Sequence, residues 1–544
     1  MNPKASRFLV CVPAFLALNV GVLGCGTDAT LLPADFNSRK VKDLTVKAQV
    51  THPNGPTIAS LGGVQGGPQP VVSGGAVLTN ELRTANVGIL RVPDGYLCDY
   101  ELGGIFPKAN EDVTLPASYA FDKIDAALEV AKSIDGVQIV WQAMYDIGRD
   151  TCKIEGGIEK SAPPKDPARW AQVAVNVLRH WNKALIPETD QALATWRKAA
   201  KDLGIRTVEF PSDPMGRGGY KKADAVVADY ITLAEAIRTA FPAAAGGQPP
   251  MRVVGPAMRI ASGDEVAGHA VVAFIDGLVT QKKQSLLDAL TFESTATTPA
   301  ELARIAEQLR SLLKTRGLAA IPVWLTRYQS DPAARPASFE DASAVGLWSA
   351  HSGAFASTAR IDLQGLVDAA VFYRADLRPL TPNLNDVVNV EQSPLWAPNG
   401  QARPGGLSWL HWLFVTGTSR IDAREQGDDD PLMAVLAGRS NDMGSGCPEP
   451  NRKPCPALVV LASNANLPSE QARVSYEISI LDASTISGAK SLTAYRWPIG
   501  RSSTPADVGW TSRKDLPIGA EGTAVLQFEA ELPSIDLVVL LPNP

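Results

Sequence analysis

The sequence predicts a (β/α)₈ barrel followed by a C-terminal β-sandwich. Three observations lead there. Between about residue 46 and residue 385, short apolar runs alternate with amphipathic helical patterns, and such alternation implies a parallel sheet covered by helices. Eight such runs occur, at 57–63, 87–93, 137–144, 206–211, 252–256, 288–293, 320–327 and 367–374, which is the number a closed barrel of this kind needs. After residue 385 the helical periodicity fades, and runs such as 457–462, 474–481 and 537–541 are separated by Gly, Pro, Asn and Asp.

Each helix between the barrel strands has its own signal. Phe121, Ile124, Ala127, Leu128 and Ala131 repeat at helical spacing, as do the apolar residues of 168–185 and 302–313. Within the C-terminal half, 420–438 is expected to hold one helix, following an acidic turn at Asp428, Asp429 and Asp430. The Gly- and Pro-rich stretch 61–75 reads as the first barrel strand and its loop.

The chain has 544 residues, 45 % of them hydrophobic and 20 % charged, enough for two or three domains with real cores. A formal net charge of -6 argues against a nucleic-acid partner, which requires a basic face for the phosphates. With five His in the whole sequence, a His-rich metal site is not expected; no cofactor is expected either.

The first residues form a separate object. Lys4 and Arg7 precede a short apolar stretch over 8–22, and then come Val22, Leu23, Gly24 and Cys25. A positive start, a short apolar run and small residues before a cut site read as a secretory signal over 1–24. Cys directly after Leu-Gly resembles a bacterial lipobox, in which Cys25 becomes the lipid-modified first residue. An ordinary signal peptide with a chance Cys is the competing reading. Gly26 after Cys25, where Asp is absent, resembles an outer-membrane address. The expected partner is therefore the membrane, through a lipid on Cys25, with 25–45 as a tether.

Cys11 lies within the signal, so four Cys remain besides Cys25. In an exported chain they favour disulfides, with three pairings open. Cys447 and Cys455 bracket a seven-residue Pro-rich loop and form the simplest pair, leaving Cys98 with Cys152.

In a barrel of this type, chemistry sits at the C-terminal ends of the strands. Several stretches there carry a family likeness. Pro163-Pro164-Lys165-Asp166 with Trp170 and His180, then Val254-Gly255-Pro256-Ala257, then Leu287-Asp288 leading to Phe292, then Pro322-Val323-Trp324-Leu325-Thr326, occur in the order and spacing of family 39 glycoside hydrolases. The likeness runs from about residue 55 to the C-terminus. It implies a saccharide or glycoconjugate ligand and a retaining hydrolase mechanism with two Glu.

Both Glu positions are changed. The family's Trp-Asn-Glu-Pro, which carries the general acid/base, aligns with Pro211-Ser212-Asp213-Pro214, and the family's nucleophile aligns with Arg327 in Thr326-Arg327-Tyr328-Gln329. The family's strand-six His aligns with Glu293, and its Arg-Phe-His-Gly with the stretch Arg91 to Gly95. A guanidinium is always protonated and has no lone pair for attack at a sugar carbon. Asp213 and Glu293 are the remaining candidates for acid/base work. Arg327, Asp94, Tyr145, Ser212 and Tyr328 are the candidate substrate contacts.

Each has a plainer reading. Asp213 could be a loop residue or helix cap, and Arg327 a structural partner of Asp213 or Glu293. Trp324 reads as core, His180 as structural, and Glu209 as a paired residue deep in the barrel. Three functions stay open: a saccharide-binding lipoprotein with hydrolysis lost or reduced, an active hydrolase using Asp213 and Glu293, and a non-enzymatic envelope or adhesion protein.

Overall fold

The alternating runs close into a barrel. In the computed structural model, β1 (Leu44–Gln49) precedes β2 (Gly63–Gln65), β3 (Ile89–Val92), β4 (Gln138–Gln142), β5 (Thr207–Glu209), β6 (Arg252–Arg259), β7 (Ala289–Thr295), β8 (Val323–Gln329) and β9 (Ala369–Phe372). Strands β2 to β9 pair in chain order, all parallel, and β9 returns to β2. The structure describes residues 44–49, 55–65, 79–92, 102–143, 147, 162–330, 341–373, 393–397, 400–426, 430–467 and 473–543, apart from 109, 217, 244–246, 248, 249 and 487.

Strand periodicity sorts each run between two environments. In β4, Ile139 and Trp141 join the large core shared with the helices, while Val140 belongs to a separate small cluster with Val254, Ala289, Trp324 and Ala369. Those five residues form an apolar floor inside the barrel. One layer further along the strands, the same inward set turns polar: Gln65, Arg91, Gln142, Glu209, Thr291 and Glu293 are all buried. This layer lies toward the strand C-termini, where a barrel presents its working face.

The covering helices begin where the sequence says they should. Asp166 caps Pro167–Trp181 by accepting from the Arg169 backbone N–H, and Pro167 occupies the first turn, where its missing N–H costs nothing. Thr298 and Glu301 form a reciprocal capping box at the start of Pro299–Thr315.

The C-terminal part is a two-sheet sandwich. Its strands are β10 (Ser419–Ile421), β11 (Ala423–Gln426), β12 (Met433–Ser440), β13 (Ala457–Asn464), β14 (Arg473–Leu481), β15 (Ser491–Ile499), β16 (Ser512–Pro517), β17 (Ala524–Glu531) and β18 (Ser534–Asn543). One sheet runs β10-β12-β13-β18-β15-β16 and the other β11-β1-β14-β17. On β13, Val459 and Leu461 face the barrel side, and Leu458 and Val460 face the second sheet. That double burial explains why 457–462 reads as an unbroken apolar run. The helices Ala342–Asp362 and Pro404–Val415 fill the space between barrel and sandwich, with Trp409 and Trp412 in the shared core.

Three expectations are corrected here. Among its described residues the stretch 420–438 holds no helix; they form parts of β10 and β12 and all of β11, and the helix lies earlier, at Pro404–Val415. The first barrel strand is Gly63–Gln65, at the end of the expected 57–63 run. Residues 44–49, read as the end of a tether and the start of the barrel, form β1 of the sandwich, antiparallel to β11 and parallel to β14. The expected domain boundary at 385 lies outside the described residues, as do Cys25, Cys98 and Cys152. Cys447 and Cys455 are bonded as expected, with Cα atoms 6.1 Å apart.

Candidate functional site

At the centre of the polar layer stands Arg91 of β3, with no solvent exposure. Its Nε donates to Glu209 Oε2 at 2.7 Å, and its Nη1 to Gln65 Oε1 at 2.9 Å. Its Nη2 donates to Glu293 Oε1 at 2.8 Å. With its amide oriented toward the surrounding donors, the Gln142 oxygen accepts from Arg91 Nη2 and from the Ser212 N–H, both at 2.8 Å. A guanidinium buried among four strands would be very costly without such acceptors, and here β2, β4, β5 and β7 each supply one.

Two carboxylates thus share one buried cation, and they differ in their other partners. Glu293 Oε1 also accepts from the Ser212 hydroxyl at 2.5 Å, and Oε2 faces Arg327 Nη1 at 3.8 Å. Glu209 has no solvent exposure, and its Oε1 makes no hydrogen bond. Burial pushes the Glu209 carboxyl above the usual carboxylate range; Arg91 pulls it back, and the Glu293 charge adds to the rise.

A register irregularity sets the direction of Arg327. Phe292 pairs with Leu325, but Glu293 pairs with Arg327, so β8 carries Thr326 as an extra residue at that point. An extra residue reverses the facing of everything beyond it. Arg327 therefore lies on the inward side beside Glu293, and its guanidinium covers the Tyr373 ring with Cζ 4.1 Å from the centroid. Tyr328 is turned outward. It is fully buried in the core against Phe372, with ring centroids 5.4 Å apart, and burial pushes its phenol up. The expectation that Tyr328 contacts substrate is corrected on this ground.

Asp213 sits in the turn that follows β5. Its φ is 46°, the left-handed region that Asp tolerates better than most residues. Its backbone N–H donates to the Ala257 carbonyl at 2.9 Å, and its Oδ1 accepts from the Gly216 N–H at 3.1 Å. A Cβ at Gly216 would lie 2.4 Å from Asp213 Oδ2, so the carboxylate is folded back over its own loop. That loop is tied to the helix Ala223–Ala240 by the Tyr220 hydroxyl, which donates to Asp229 at 2.8 Å.

The structure thus brings Ser212, Glu293 and Arg327 together, with Asp213 next to Ser212 in the chain. Asp94 and Tyr145 lie outside the described residues. Trp324 is floor core, as read. His180 is structural, bonded to Asp125 at 2.8 Å and stacked on Phe121. Glu209 is the paired deep residue the sequence pointed to. Arg91, Gln65, Gln142 and Tyr373 were not singled out. The signal for Arg91 was present, since a charge within the apolar run Ile89-Leu90-Arg91-Val92 requires an opposite charge inside the barrel, and Glu209, two strands away on β5, is one.

No protein-family model matches the chain, and no curated protein does. Solved structures do match. A glucosidase from Croceicoccus marinus aligns over 92 % of this chain and 100 % of its own, with TM-score 0.63 and 18 % identity. A GH39 enzyme from Xanthomonas axonopodis pv. citri aligns over 94 % of this chain and 100 % of its own, with TM-score 0.58 and 13 % identity. For a monomeric β-xylosidase from Caulobacter crescentus CB15 the shares are 92 % and 100 %, the TM-score 0.58 and the identity 14 %. The chain has the family 39 glycoside hydrolase-like fold, barrel and sandwich together.

Proposed function

We propose that this chain is an exported, lipid-anchored saccharide-binding protein on a glycoside hydrolase scaffold, with hydrolysis lost or strongly reduced. One observation supports the reading: Arg327, which the sequence resemblance aligns with the family's nucleophile, faces Glu293 Oε2 with its guanidinium at 3.8 Å. A retaining hydrolase needs two carboxyl groups about 5–5.5 Å apart, one attacking and one donating a proton. A guanidinium does neither. The other slot holds Asp213, one methylene shorter than Glu, with Oδ1 accepting from Gly216. A displacement of about 1 Å at a reacting group costs on the order of a hundredfold in rate.

Binding survives such changes better than catalysis. Arg327 over the Tyr373 ring, beside Glu293 and Ser212, combines a planar donor, an aromatic face and hydroxyl-binding acceptors. The likeness to solved glycosidases supports a saccharide as the ligand class. Export and the anchor on Cys25 rest on the sequence of residues 1–25.

The test is a panel of aryl glycosides for turnover and a glycan array for binding, with the full chain. The expected result is selective binding without robust turnover. Robust hydrolysis abolished by Asp213→Asn would establish the hydrolase reading with Asp213 and Glu293. Failure to bind any saccharide would leave the envelope or adhesion reading.

A further inference from the structure

Arg91 is shared by two acids, and its charge cannot fully compensate both. We propose that Glu209 is the protonated member of the Glu209–Glu293 pair, so that of these two only Glu293 presents a negative charge to the barrel mouth, and that ionisation of Glu209 loosens Glu293 by competing for Arg91. This deepens the saccharide-binding reading by adding a pH control to the same site, and its ligand-affinity consequence rests on that reading.

The geometry separates the two acids. Glu293 meets three donors from three strands or loops: Arg91 at 2.8 Å, the Ser212 hydroxyl at 2.5 Å and, at longer range, Arg327 at 3.8 Å. Among the described residues Glu209 meets one cation, Arg91, through Oε2. The Thr326 hydroxyl beside it donates to the Phe292 carbonyl at 3.4 Å and also favours the ionised Glu209, less than Arg91 does, while Glu209 Oε1 has no hydrogen-bond partner among the described residues. Gln65 and Gln142 complete the shell around Arg91 and carry no charge. Among the described residues the groups facing the pair are Arg91, Thr326, Ser212 and Arg327, and more of the donors meet Glu293. Burying a second bare carboxylate is costly, and a proton removes that cost.

The sign follows. Glu209 has a carboxyl raised above its ordinary value of 4.5 in the folded chain. Its contribution to stability is full below the unfolded value and is lost as pH rises through the folded one. In the same interval a second negative charge appears beside Arg91, on Glu209, and the Glu293–Arg91 bond weakens.

The test compares the wild-type chain with Glu209→Gln and Glu293→Gln, using thermal unfolding between about pH 5 and pH 9. Gln mimics the protonated acid. Glu209→Gln is expected to unfold near the wild-type temperature at the acid end and to lose the wild type's alkaline decline. Glu293→Gln should be markedly destabilised across the range, because it strips the anion from Arg91 and Arg327. A Glu209→Gln protein as destabilised at the acid end as Glu293→Gln, or one with an unchanged alkaline decline, overturns the proposal. Should Glu209→Gln fail to fold, infrared spectra of wild-type protein carrying ¹³C-glutamate decide: a protonated glutamate band at neutral pH that disappears on raising the pH supports it, and its absence overturns it. If aryl glycosides bind, their affinity should fall at least threefold at the alkaline end for wild type and hold within about twofold for Glu209→Gln. If none binds, the saccharide reading fails, while unfolding and infrared spectra still decide where the proton is.

Discussion

Glu293 and Arg327 are direct register partners on adjacent parallel strands, their charged groups 3.8 Å apart at the barrel mouth. In the family that the motifs resemble, these positions hold His and Glu. With Arg327 13 % and Glu293 4 % exposed at the side chain, and with Arg91 and Ser212 already on Glu293, removing Arg327 alone leaves no unpaired charge on the acid. The larger consequence of the pair is chemical, since a guanidinium at this position has no lone pair for attack at a sugar carbon.

Arg327→Ala is expected to lower stability by about 1 kcal/mol or less, because Glu293 keeps Arg91 and Ser212. The same variant should weaken saccharide binding by roughly tenfold, about 1.4 kcal/mol. Denaturant unfolding and titration calorimetry measure the two effects separately. Equal affinity in wild type and Arg327→Ala would remove Arg327 from the binding face.

Arg91→Met is expected to be far worse. It leaves Glu209 and Glu293 buried side by side with their shared cation gone, and breaking a buried pair in this way costs about 3–5 kcal/mol. Adding Glu293→Gln should recover part of that loss by removing the stranded charge, whereas Glu209→Gln should recover little, because the proton already leaves Glu209 uncharged. A double-mutant cycle in urea reads the coupling.

Much of this fold was legible because burial on the barrel leaves a two-sided apolar record, and the runs at 137–144, 252–256 and 320–327 each found a strand. Where partners are remote, the record is thin. Leu44–Gln49 alternates apolar and polar residues over only six positions, where tether was read to give way to barrel, and the strands it pairs with lie some hundreds of residues away. The run from Leu432 to Ala437 is apolar on successive residues, a pattern that buried strand and buried helix share, and it was read as helix. At the site, the residue types were legible but their facing was not. A single inserted residue, Thr326, decides that Arg327 looks inward and Tyr328 outward, and an insertion in register leaves no mark in composition or period.

Removal of residues 26–50 should destabilise the sandwich, because β1 fills the slot between β11 and β14 and its loss bares the backbone edges of both. A melting temperature lower by several degrees, with increased aggregation, is expected. An unchanged melting curve would show that the sheet closes without β1.

Cys25→Ser should shift the protein from the membrane fraction to a soluble or unprocessed form. Fractionation with membranes at the wild-type level would sink the anchor reading. In the oxidised protein, peptide mass mapping should yield Cys98–Cys152 beside Cys447–Cys455. A Cys98–Cys447 peptide would contradict both pairs. Reduction of Cys447–Cys455, which closes a short loop, should cost about 2–3 kcal/mol on the chain-entropy model.

Restoring catalysis requires more than one residue. Arg327→Glu alone places two carboxylates on register partners, Glu293 and the new Glu, with Arg91 as the cation already engaged by Glu209 and Glu293. Like charges opposite each other on adjacent strands are destabilising, and the proton donor is still short. Little gain in aryl glycoside cleavage is expected. Arg327→Glu with Asp213→Glu supplies both carboxyls and should exceed the single variant by at least tenfold. It carries a cost of roughly 1 kcal/mol, because position 213 has φ 46°, where Glu is less at ease than Asp, and because the bond to Gly216 N–H is given up. Adding Glu293→His returns the third family residue and removes the like-charged neighbour, so the triple variant should be both more stable and more active than the double. Initial rates on a panel of aryl glycosides rank the three. A single Arg327→Glu variant as active as the triple would mean that Asp213, in its present turn, already serves as the acid.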